Sequence, residues 1–367
     1  MRETGTGTLE LRDVVKRYRD SVAVDGISLE ARAGEFLTLL GPSGSGKTTT
    51  LGMIAGFVEQ TSGEIVLDGQ DLSGLRPHKR DIGVVFQNYA LFPHMTAAEN
   101  VGFPLKMRGV SGGELSRKVN SALELVQLQG LGGRRPRELS GGQQQRVAFA
   151  RAIVFEPRLL LMDEPLGALD KKMREVLQLE VMRISRRLGI SVVYVTHDQE
   201  EALVMSDRIA IYNMGRIEQI GTAEDLYERP STLFVADFIG DSNIVRGKLL
   251  AGRPTPRFGW AGGEVHVESR GEGLNPGDAA AFVIRPERVQ LLPPGTSLDA
   301  GTNRARGTVK EVVYLGNARR YSVALPDGTV LNARVQAAGA SAGVAAGEDV
   351  ELGWQPHDGV VLADPGV

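Results

Sequence analysis

The stretch FLTLLGPSGSGKTT, residues 36–49, joins an apolar run to a glycine-rich loop and then to a segment that can start a helix. The apolar run predicts a buried strand, and GPSGSGKT fits the spacing G-x-x-x-x-G-K-[ST]. Glycines let the backbone wind closely round phosphate oxygens, and a helix N-terminus adds partial positive charge. We expect Lys47 to reach phosphate oxygens and the Thr48 hydroxyl to ligate Mg²⁺. A flexible Gly/Ser turn with an exposed lysine is the alternative, and the strand, loop and helix in register argue against it.

A second apolar run, LLLMDE at residues 159–164, ends in two acids. At the carboxyl end of a strand beside a phosphate loop, Asp163 is expected to hold Mg²⁺ and Glu164 to face the outermost phosphate. Taken alone, two acids after such a run are more often a solvated strand end. The phosphate loop earlier in the chain favours the functional interpretation, in which Glu164 is a base next to an attacking water.

Composition restricts the classes of protein. The chain has 367 residues with 42 basic and 45 acidic side chains, a net charge of -3, and no cysteine. The charge gives no argument for a polyanionic partner, and the lack of cysteine excludes disulfides, thiolate metal sites and cysteine nucleophiles. No secretory signal and no apolar stretch of roughly 20 residues is recognisable, so we expect any membrane role to depend on a partner.

The order of elements predicts two domains. Up to about Phe238, short apolar runs alternate with amphipathic helical segments, which is typical of an α/β domain with a largely parallel sheet. Further buried strands are expected at 82–86 and 192–195, and the residues around 9–29 with 65–67 read as an antiparallel flank. A helix from Leu233, with its start at Pro230 and Ser231, is expected to close this domain.

From Asn243 onward, short strands separated by Gly, Pro and Asp take over, with a hairpin over 321–330. This pattern predicts a small β-barrel or a pair of barrels. The Ala/Gly-rich piece 337–347 is expected to be a loop. We therefore predict an α/β domain over residues 1–240 and an all-β domain over residues 241–367.

The segment LSGGQQQR, residues 139–146, reads as small residues before a helix N-terminus and is a second potential phosphate site, although a plain helix cap has the same pattern. With the two motifs above, it makes residues 9–238 resemble the ABC ATPases, for which LSGGQ is the signature. The resemblance implies an ABC-type P-loop NTPase fold with a mostly parallel sheet, an antiparallel β flank and a helical signature subdomain. It also implies binding and hydrolysis of Mg-ATP.

Individual roles follow from the resemblance. Tyr18 matches the aromatic residue that stacks on adenine, and Gln87 matches the glutamine that senses Mg²⁺ and the attacking water. Asp170 matches a loop that crosses a dimer interface, and His197 matches the histidine that contacts the γ-phosphate. Gly167 departs from the many relatives that have serine there, which puts one interface hydrogen bond in doubt.

The candidate site residues form three sets. The catalytic candidates are Glu164, His197 and Gln87, and the metal candidates are Thr48, Gln87 and Asp163. The nucleotide-binding candidates are Tyr18, Gly41, Pro42, Ser43, Gly44, Ser45, Gly46, Lys47, Thr48, Thr49, Ser140, Gly141, Gly142, Gln143 and Asp170. In the family, residues matching Ser140 and Gly142 meet ATP bound to the other protomer, so the resemblance implies a homodimer with two nucleotides between its chains.

The β-rich region resembles the TOBE or OB-like domain of a subset of ABC importers, through RIEQIGTAEDLYERPSTLFVADFIGDSN (216–243) and VIRPERVQLL (283–292). The stretches FVADFIGDSN (234–243) and RAIVFEPRLLLMDEPLGALDKKMRE (151–175) are most similar to spermidine/putrescine importers, and iron(III), sugar or another small solute is the alternative. The resemblance implies permease subunits, indirectly a solute-binding protein, and a peripheral location at the cytoplasmic face of the inner membrane.

Residues 88–101 match the segment that docks the permease, although Tyr89, Leu91 and Phe92 fit a core role equally well. Two other classes of protein fit the sequence less well. A soluble ABC ATPase of DNA repair or translation would carry coiled-coil insertions or tandem ATPase halves, which this chain lacks. A nucleic-acid-binding OB fold needs basic and aromatic residues interleaved on one strand face, whereas aromatic residues make up only 5% of the chain. We therefore expect no nucleic-acid partner.

Overall fold

A computed structural model describes residues 7–167, 169–252, 255–271, 273–299, 301–337, 343–364 and 366. The chain divides into two units, residues 1–223 and 224–367. Residues 224–240 are predicted to belong to the first domain, whereas this division places them with the β-rich unit. That the ATPase domain ends at residue 240 stays a prediction, which truncated chains can test.

The first unit contains two sheets. The smaller sheet is antiparallel, in the order β2-β1-β4-β5, and the larger has the order β10-β9-β3-β8-β7-β6 with only β10 antiparallel to its neighbour. The strands of the small sheet are β1 (Leu9–Tyr18), β2 (Ser21–Ala31), β4 (Ser62–Leu67) and β5 (Gln70–Asp71). Those of the large sheet are β3 (Phe36–Leu40), β6 (Ile82–Val85), β7 (Leu159–Asp163), β8 (Ser191–Thr196), β9 (Arg208–Asn213) and β10 (Arg216–Gly221). The four predicted buried strands and the antiparallel flank are confirmed, with β6 ending one residue early.

Both faces of the large sheet are buried, which explains its continuous apolar strands. Alternate residues of β7 and β8, such as Leu160 and Val192, enter one core, while Leu161 and Val193 enter the other. The first core is shared with α2, α3 and α4, the helical subdomain predicted around the signature. The helices are α1 (Lys47–Ala55), α2 (Ala97–Met107), α3 (Gly112–Leu125), α4 (Gly141–Ile153), α5 (Lys171–Leu188) and α6 (Gln199–Met205).

The second unit begins with two short helices, α7 (Ala223–Glu228) and α8 (Leu233–Phe238). The helix predicted from Leu233 is α8, and its N-cap is Thr232 in place of the predicted Pro230 and Ser231; the Thr232 hydroxyl accepts from Val235 N at 3.2 Å. Within this unit Ala236 packs against Val283 and Leu362, and its carbonyl accepts from the buried Arg285 guanidinium at 2.8 Å. These contacts explain why the helix belongs to the β-rich unit.

The remaining strands form two sheets around one shared core, instead of two separate barrels. Phe258 and Phe282 from one sheet and Tyr321 and Leu352 from the other belong to the same buried cluster. The six-stranded sheet contains β11 (Asn243–Leu250), β12 (Arg257–Trp260), β13 (Gly263–His266), β14 (Ser269–Arg270), β15 (Ala279–Ile284) and β21 (Gly359–Ala363). The five-stranded sheet contains β16 (Gln290–Leu292), β17 (Asn303–Tyr314), β18 (Ala318–Ala324), β19 (Val330–Gln336) and β20 (Asp349–Trp354). The hairpin predicted over 321–330 is the β18–β19 pair; of the loop predicted over 337–347, residues 338–342 lie outside the described residues.

Among the described residues, no helix is both long enough and apolar enough to cross a membrane.

Candidate nucleotide site

The glycine-rich loop follows β3 directly and leads into α1. Gly44 and Gly46 have φ of 80° and 104°, a region that favours glycine, and Gly46 is the N-cap of α1. A Cβ on Gly41 would collide with the Tyr212 carbonyl. The loop therefore requires glycine at these positions because of its backbone conformation and its close packing.

Lys47 is buried and lies inside the loop. Its Nζ donates to the carbonyls of Gly41 and Pro42, both at 2.8 Å, and to Ser45 Oγ at 3.2 Å. Burial lowers the pKa of the Lys47 ammonium, while the charges of Glu164 and Asp163 oppose that shift. The ammonium is thus held where it can meet an anion bound by the loop.

Asp163, the last residue of β7, lies beside the start of α1. The Thr48 hydroxyl donates to Asp163 Oδ1 at 3.2 Å. Burial raises the pKa of the Asp163 carboxyl, and the hydrogen bond from Thr48 acts in the opposite direction. Two oxygen groups predicted to ligate the same metal are therefore neighbours.

Glu164 lies between the other two catalytic candidates. Gln87 Nε2 donates to Glu164 Oε2 at 3.1 Å, and His197 Nδ1 lies 3.1 Å from Glu164 Oε1. Glu164 has a φ of 42°, unusual for a residue other than glycine, while its N–H bonds to Val195 O in β8 at 2.9 Å. The structure brings Gln87, Glu164 and His197 together after the carboxyl ends of the neighbouring strands β6, β7 and β8.

Tyr18 ends β1 with 46% of its surface exposed, and Lys16 Nζ lies 4.8 Å from its ring centroid. Tyr18 pairs with Ser21 at the tip of the β1–β2 hairpin. A Cβ on Gly46 would collide with the carbonyl of Ala23, farther along β2, so this hairpin borders the loop. An exposed ring on such a hairpin fits a base-stacking role.

The signature motif starts α4. Ser140 is its N-cap, and the Ser140 and Gln143 side chains each accept from the other's backbone N–H, which forms a capping box. A Cβ on Gly142 would lie 3.3 Å from Met173 Sδ and 3.7 Å from Leu177 Cδ1, both in α5. Asp170 is the N-cap of α5 and accepts from Met173 N at 3.0 Å. The starts of α4 and α5 are therefore neighbours, and no hydrogen bond among the described residues joins Ser140 or Gln143 to the phosphate loop.

The segment predicted to dock a permease contains two consecutive residues with positive φ, Tyr89 at 61° and Ala90 at 44°. Arg151 of α4 donates to their carbonyls at 2.8 and 2.7 Å. Tyr89 is buried, while Leu91 and Phe92 are half-buried. Tyr89 is therefore a core residue on this unit, and the other two keep accessible surface.

Two residues that were not predicted bond to the backbone of the candidate segments: Arg151 through its guanidinium and Gly215 through its N–H. Gly215 N donates to Ser45 O in the phosphate loop at 3.0 Å. The one available signal was the short step Asn213-Met214-Gly215 between two apolar runs, which is typical of a hairpin turn.

Comparison with known proteins agrees with this geometry. Residues 24–167 match the family model for the ABC transporter, and residues 282–362 match that for the TOBE domain. A protein from Thermobifida fusca named spermidine/putrescine import ATP-binding protein PotA is 49% identical over 96% of this chain and 93% of its own length. A protein of the same name from Acidothermus cellulolyticus is 50% identical over 97% of this chain and 94% of its own.

The chain belongs to the ABC transporter family. It is therefore an ATPase coupled to transport, and its fold is an ABC P-loop NTPase domain followed by a β-rich TOBE domain.

Solved structures of ABC proteins are similar to about 60% of this chain. A dimeric ATP-binding cassette bound to ADP and phosphate is 34% identical, with a TM-score of 0.54, and covers 59% of this chain and 98% of its own. The cbiO1 protein of an ABC transporter complex from Clostridium perfringens is 26% identical, with a TM-score of 0.57, and covers 61% of this chain and 92% of its own. Both alignments span about the length of one ATPase domain.

Proposed function

We propose that this ABC transporter subunit hydrolyses ATP to drive the import of polyamines such as spermidine and putrescine. The carrying observation is identity of 45% to 50% over nearly the whole chain with proteins named spermidine/putrescine import ATP-binding protein. The candidate site residues supply the groups that bind and hydrolyse ATP.

The loop residues fit a nucleotide triphosphate, and Thr48 with Asp163 fits Mg²⁺. Hydroxyl and carboxylate oxygens are the hard ligands that Mg²⁺ prefers, and two adjacent ligands of an octahedral site at 2.0–2.1 Å lie about 3 Å apart. The observed separation of Thr48 Oγ1 and Asp163 Oδ1 is 3.2 Å. Bound Mg²⁺ would neutralise phosphate charge. Among the described residues, no three or more His, Cys, Asp or Glu side chains are grouped to hold a metal ion. A site with few protein ligands suits an ion that is also bound by phosphates.

Glu164 acts as the general base in this proposal. Its carboxylate accepts the proton of a water aimed at the γ-phosphate, while Gln87 and His197 hold the carboxylate in place from either side. Lys47 stabilises the charge on the transferred phosphoryl group. Tyr18 stacks on the adenine ring.

Two copies complete the site. Ser140 and Gly141 are exposed and Gly142 is buried at the start of α4, where N–H groups and the helix dipole favour an anion. We infer that they bind ATP held by the phosphate loop of the second copy, with Asp170 at the same interface. The dimeric cassette described above supports this arrangement.

Transport requires further partners. Residues 88–101 bind the membrane permease, which works with a solute-binding protein, and this docking holds the subunit at the cytoplasmic face of the membrane. The half-buried Leu91 and Phe92 supply apolar contact area there, and Phe92 is positioned by Phe103 at a ring distance of 4.7 Å.

The test is uptake of labelled spermidine and putrescine by cells that lack this chain and are supplied with it on a plasmid. Restored uptake by the natural chain, but not by Glu164→Gln, is expected. If iron(III) or a sugar is taken up instead, the ATPase role stands and the polyamine assignment is wrong. Equal uptake of every solute with and without the chain would remove the import role as well.

A further inference from the structure

The turn between β9 and β10, residues 213–216, lies against the phosphate loop. Met214 and Gly215 have φ of 44° and 81°, as in the two-residue turns that join hairpin strands. Gly215 N donates to Ser45 O at 3.0 Å, and Gly215 O accepts from Asp25 N of β2 at 2.9 Å. One residue therefore bonds the phosphate loop on one side and β2 on the other.

The three backbones meet without space for side chains. A Cβ on Gly215 would lie 3.1 Å from Ala23 O, and a Cβ on Gly46 would lie 3.5 Å from Gly215 Cα while colliding with the same Ala23 carbonyl. Because Gly46 is the N-cap of α1, this contact occurs where the loop turns into the helix. A shift of the turn would be transmitted directly to the loop.

The same hairpin also supports the other end of the loop. The Tyr212 carbonyl of β9 fills the space where a Cβ of Gly41 would lie. At the turn itself, Arg216 donates from two nitrogens to Asp25 Oδ2 at 2.9 and 2.7 Å. The hairpin thus contacts the first residue of the loop and its last turn, and an ion pair ties it to β2.

We propose that Gly215 is a positioning residue of the ATP site, which holds Ser45 and Gly46 so that the loop N–H groups are prearranged for phosphate. This inference rests on the proposed ATP-binding function. Since the backbone hydrogen bonds of Gly215 go to the phosphate loop and to β2, its substitution weakens ATP binding and leaves the chemical step nearly unchanged. The effect falls on Kd and KM for ATP, with kcat at saturating ATP preserved.

The experiment compares Gly215→Ala with Gly69→Ala in the full chain. The β4–β5 turn is a matched control because Asp68 and Gly69 have φ of 50° and 76°, and a Cβ on Gly69 meets nothing within 4 Å. Both substitutions place alanine in the same disfavoured backbone region, so both should lower the melting temperature, and Gly215→Ala by more because its Cβ also meets the Ala23 carbonyl at 3.1 Å. We expect Kd and KM for ATP to rise about 3- to 10-fold in Gly215→Ala alone, with kcat within about twofold of the natural chain.

Three further readings make the test decisive. Arg216→Ala removes an ion pair whose arginine is 72% exposed, so it should fold normally and weaken Kd by about 2- to 4-fold, with partial rescue by Arg216→Lys. Unchanged Kd in Gly215→Ala, or in Arg216→Ala if the former does not fold, overturns the proposal, as does an equal rise of Kd in Gly69→Ala. Lys47→Ala distinguishes failure of the Gly215 proposal from failure of the proposed function. If Lys47→Ala binds ATP normally, the loop is not the ATP site and the proposed function itself is wrong.

Discussion

Glu164 is fixed more firmly than an exposed acid at a strand end would be. Both of its carboxylate oxygens have a polar neighbour at 3.1 Å, and its own φ of 42° is a conformation that the surrounding structure has to impose. Such strained backbone is concentrated at functional sites. The geometry at this residue therefore favours a base held in one position over a solvated side chain.

Glu164→Gln is expected to bind ATP and to hydrolyse it slowly. The amide keeps the size of the side chain but cannot accept a proton, and a positioned general base contributes about 10² to 10⁴ in rate. With hydrolysis blocked, ATP should trap two chains as a closed dimer. Steady-state ATPase assays and size-exclusion chromatography with Mg-ATP measure both effects, with the exposed Glu175→Gln as control. Turnover at the natural rate would show that Glu164 is not the base, and a slow but monomeric variant would contradict the sandwich arrangement.

Lys47→Ala is expected to weaken ATP binding by about 10- to 150-fold, since the loop loses its side-chain cation and a charge-assisted contact is worth about 1.5–3 kcal/mol. Calorimetric titration with ATP measures this directly. Lys171→Ala is the control, because that ammonium is exposed and is 3.6 Å from an equally exposed Glu200. Nearly natural affinity in Lys47→Ala would exclude the phosphate-loop assignment.

At this scale, the position of a residue can be predicted when its partners lie close to it in the sequence. The spacing of the glycine-rich loop was enough to predict where Lys47 lies, because covalent geometry fixes it. The grouping of Gln87 and His197 around Glu164 came from family resemblance, since these residues are far apart in sequence. Gly215 was not predicted because its partners are backbone atoms, which any residue type would offer.

At the scale of elements, α4 is attached to the docking segment by one buried cation. Burial lowers the pKa of the Arg151 guanidinium. The guanidinium nevertheless stabilises this segment, because it donates hydrogen bonds to two carbonyls of residues with positive φ. The helix that starts at the signature thereby holds, near its C-terminal end, the segment proposed to meet the permease. Movement of either element would be felt by the other.

Arg151→Met is expected to lower the free energy of unfolding by about 2–4 kcal/mol, because the buried Tyr89 carbonyl and the partly buried Ala90 carbonyl both lose their donor. Chemical denaturation measures the change. Arg108→Met is the control: its guanidinium lies 3.8 Å from the Phe155 ring centroid, where an exposed cation–π contact is worth about 0.5–1 kcal/mol. A cost for Arg151→Met no greater than that for Arg108→Met would show that the carbonyls find water or other donors.

The elements that were predicted best are those whose pattern of apolar residues indicates directly how they are buried. The central strands are continuously apolar because both faces are buried, so β3, β7 and β8 were evident from sequence. The helix from Leu233 was also evident from sequence, although its N-cap is Thr232, whose hydroxyl accepts from Val235 N, and not Pro230 or Ser231, which also have the chemistry of a helix start. The sharing of one core by both β sheets depends on long-range contacts that short alternating strands do not encode.

For the whole molecule, the place where the ATPase domain ends decides which truncated chains can function. Every candidate catalytic residue precedes residue 223, and α8 packs within the second unit through Ala236, Val283 and Leu362. A chain cut after residue 240 would keep the helix and lose these apolar partners. A chain cut after residue 223 would not carry that exposed surface.

We therefore expect residues 1–223 to be the better ATPase fragment, with a basal kcat within about twofold of the full chain because the catalytic groups are retained. The fragment 1–240 should hydrolyse ATP similarly but aggregate sooner, since Ala236 and its neighbours would face water. Purification of both fragments, followed by ATPase assays and light scattering on heating, compares them directly. If 1–240 is the more stable and soluble fragment, residues 224–240 complete the first domain and the boundary predicted at 240 is correct. If both fragments fold yet neither hydrolyses ATP, the β-rich unit takes part in catalysis, and the division of labour between the units is wrong.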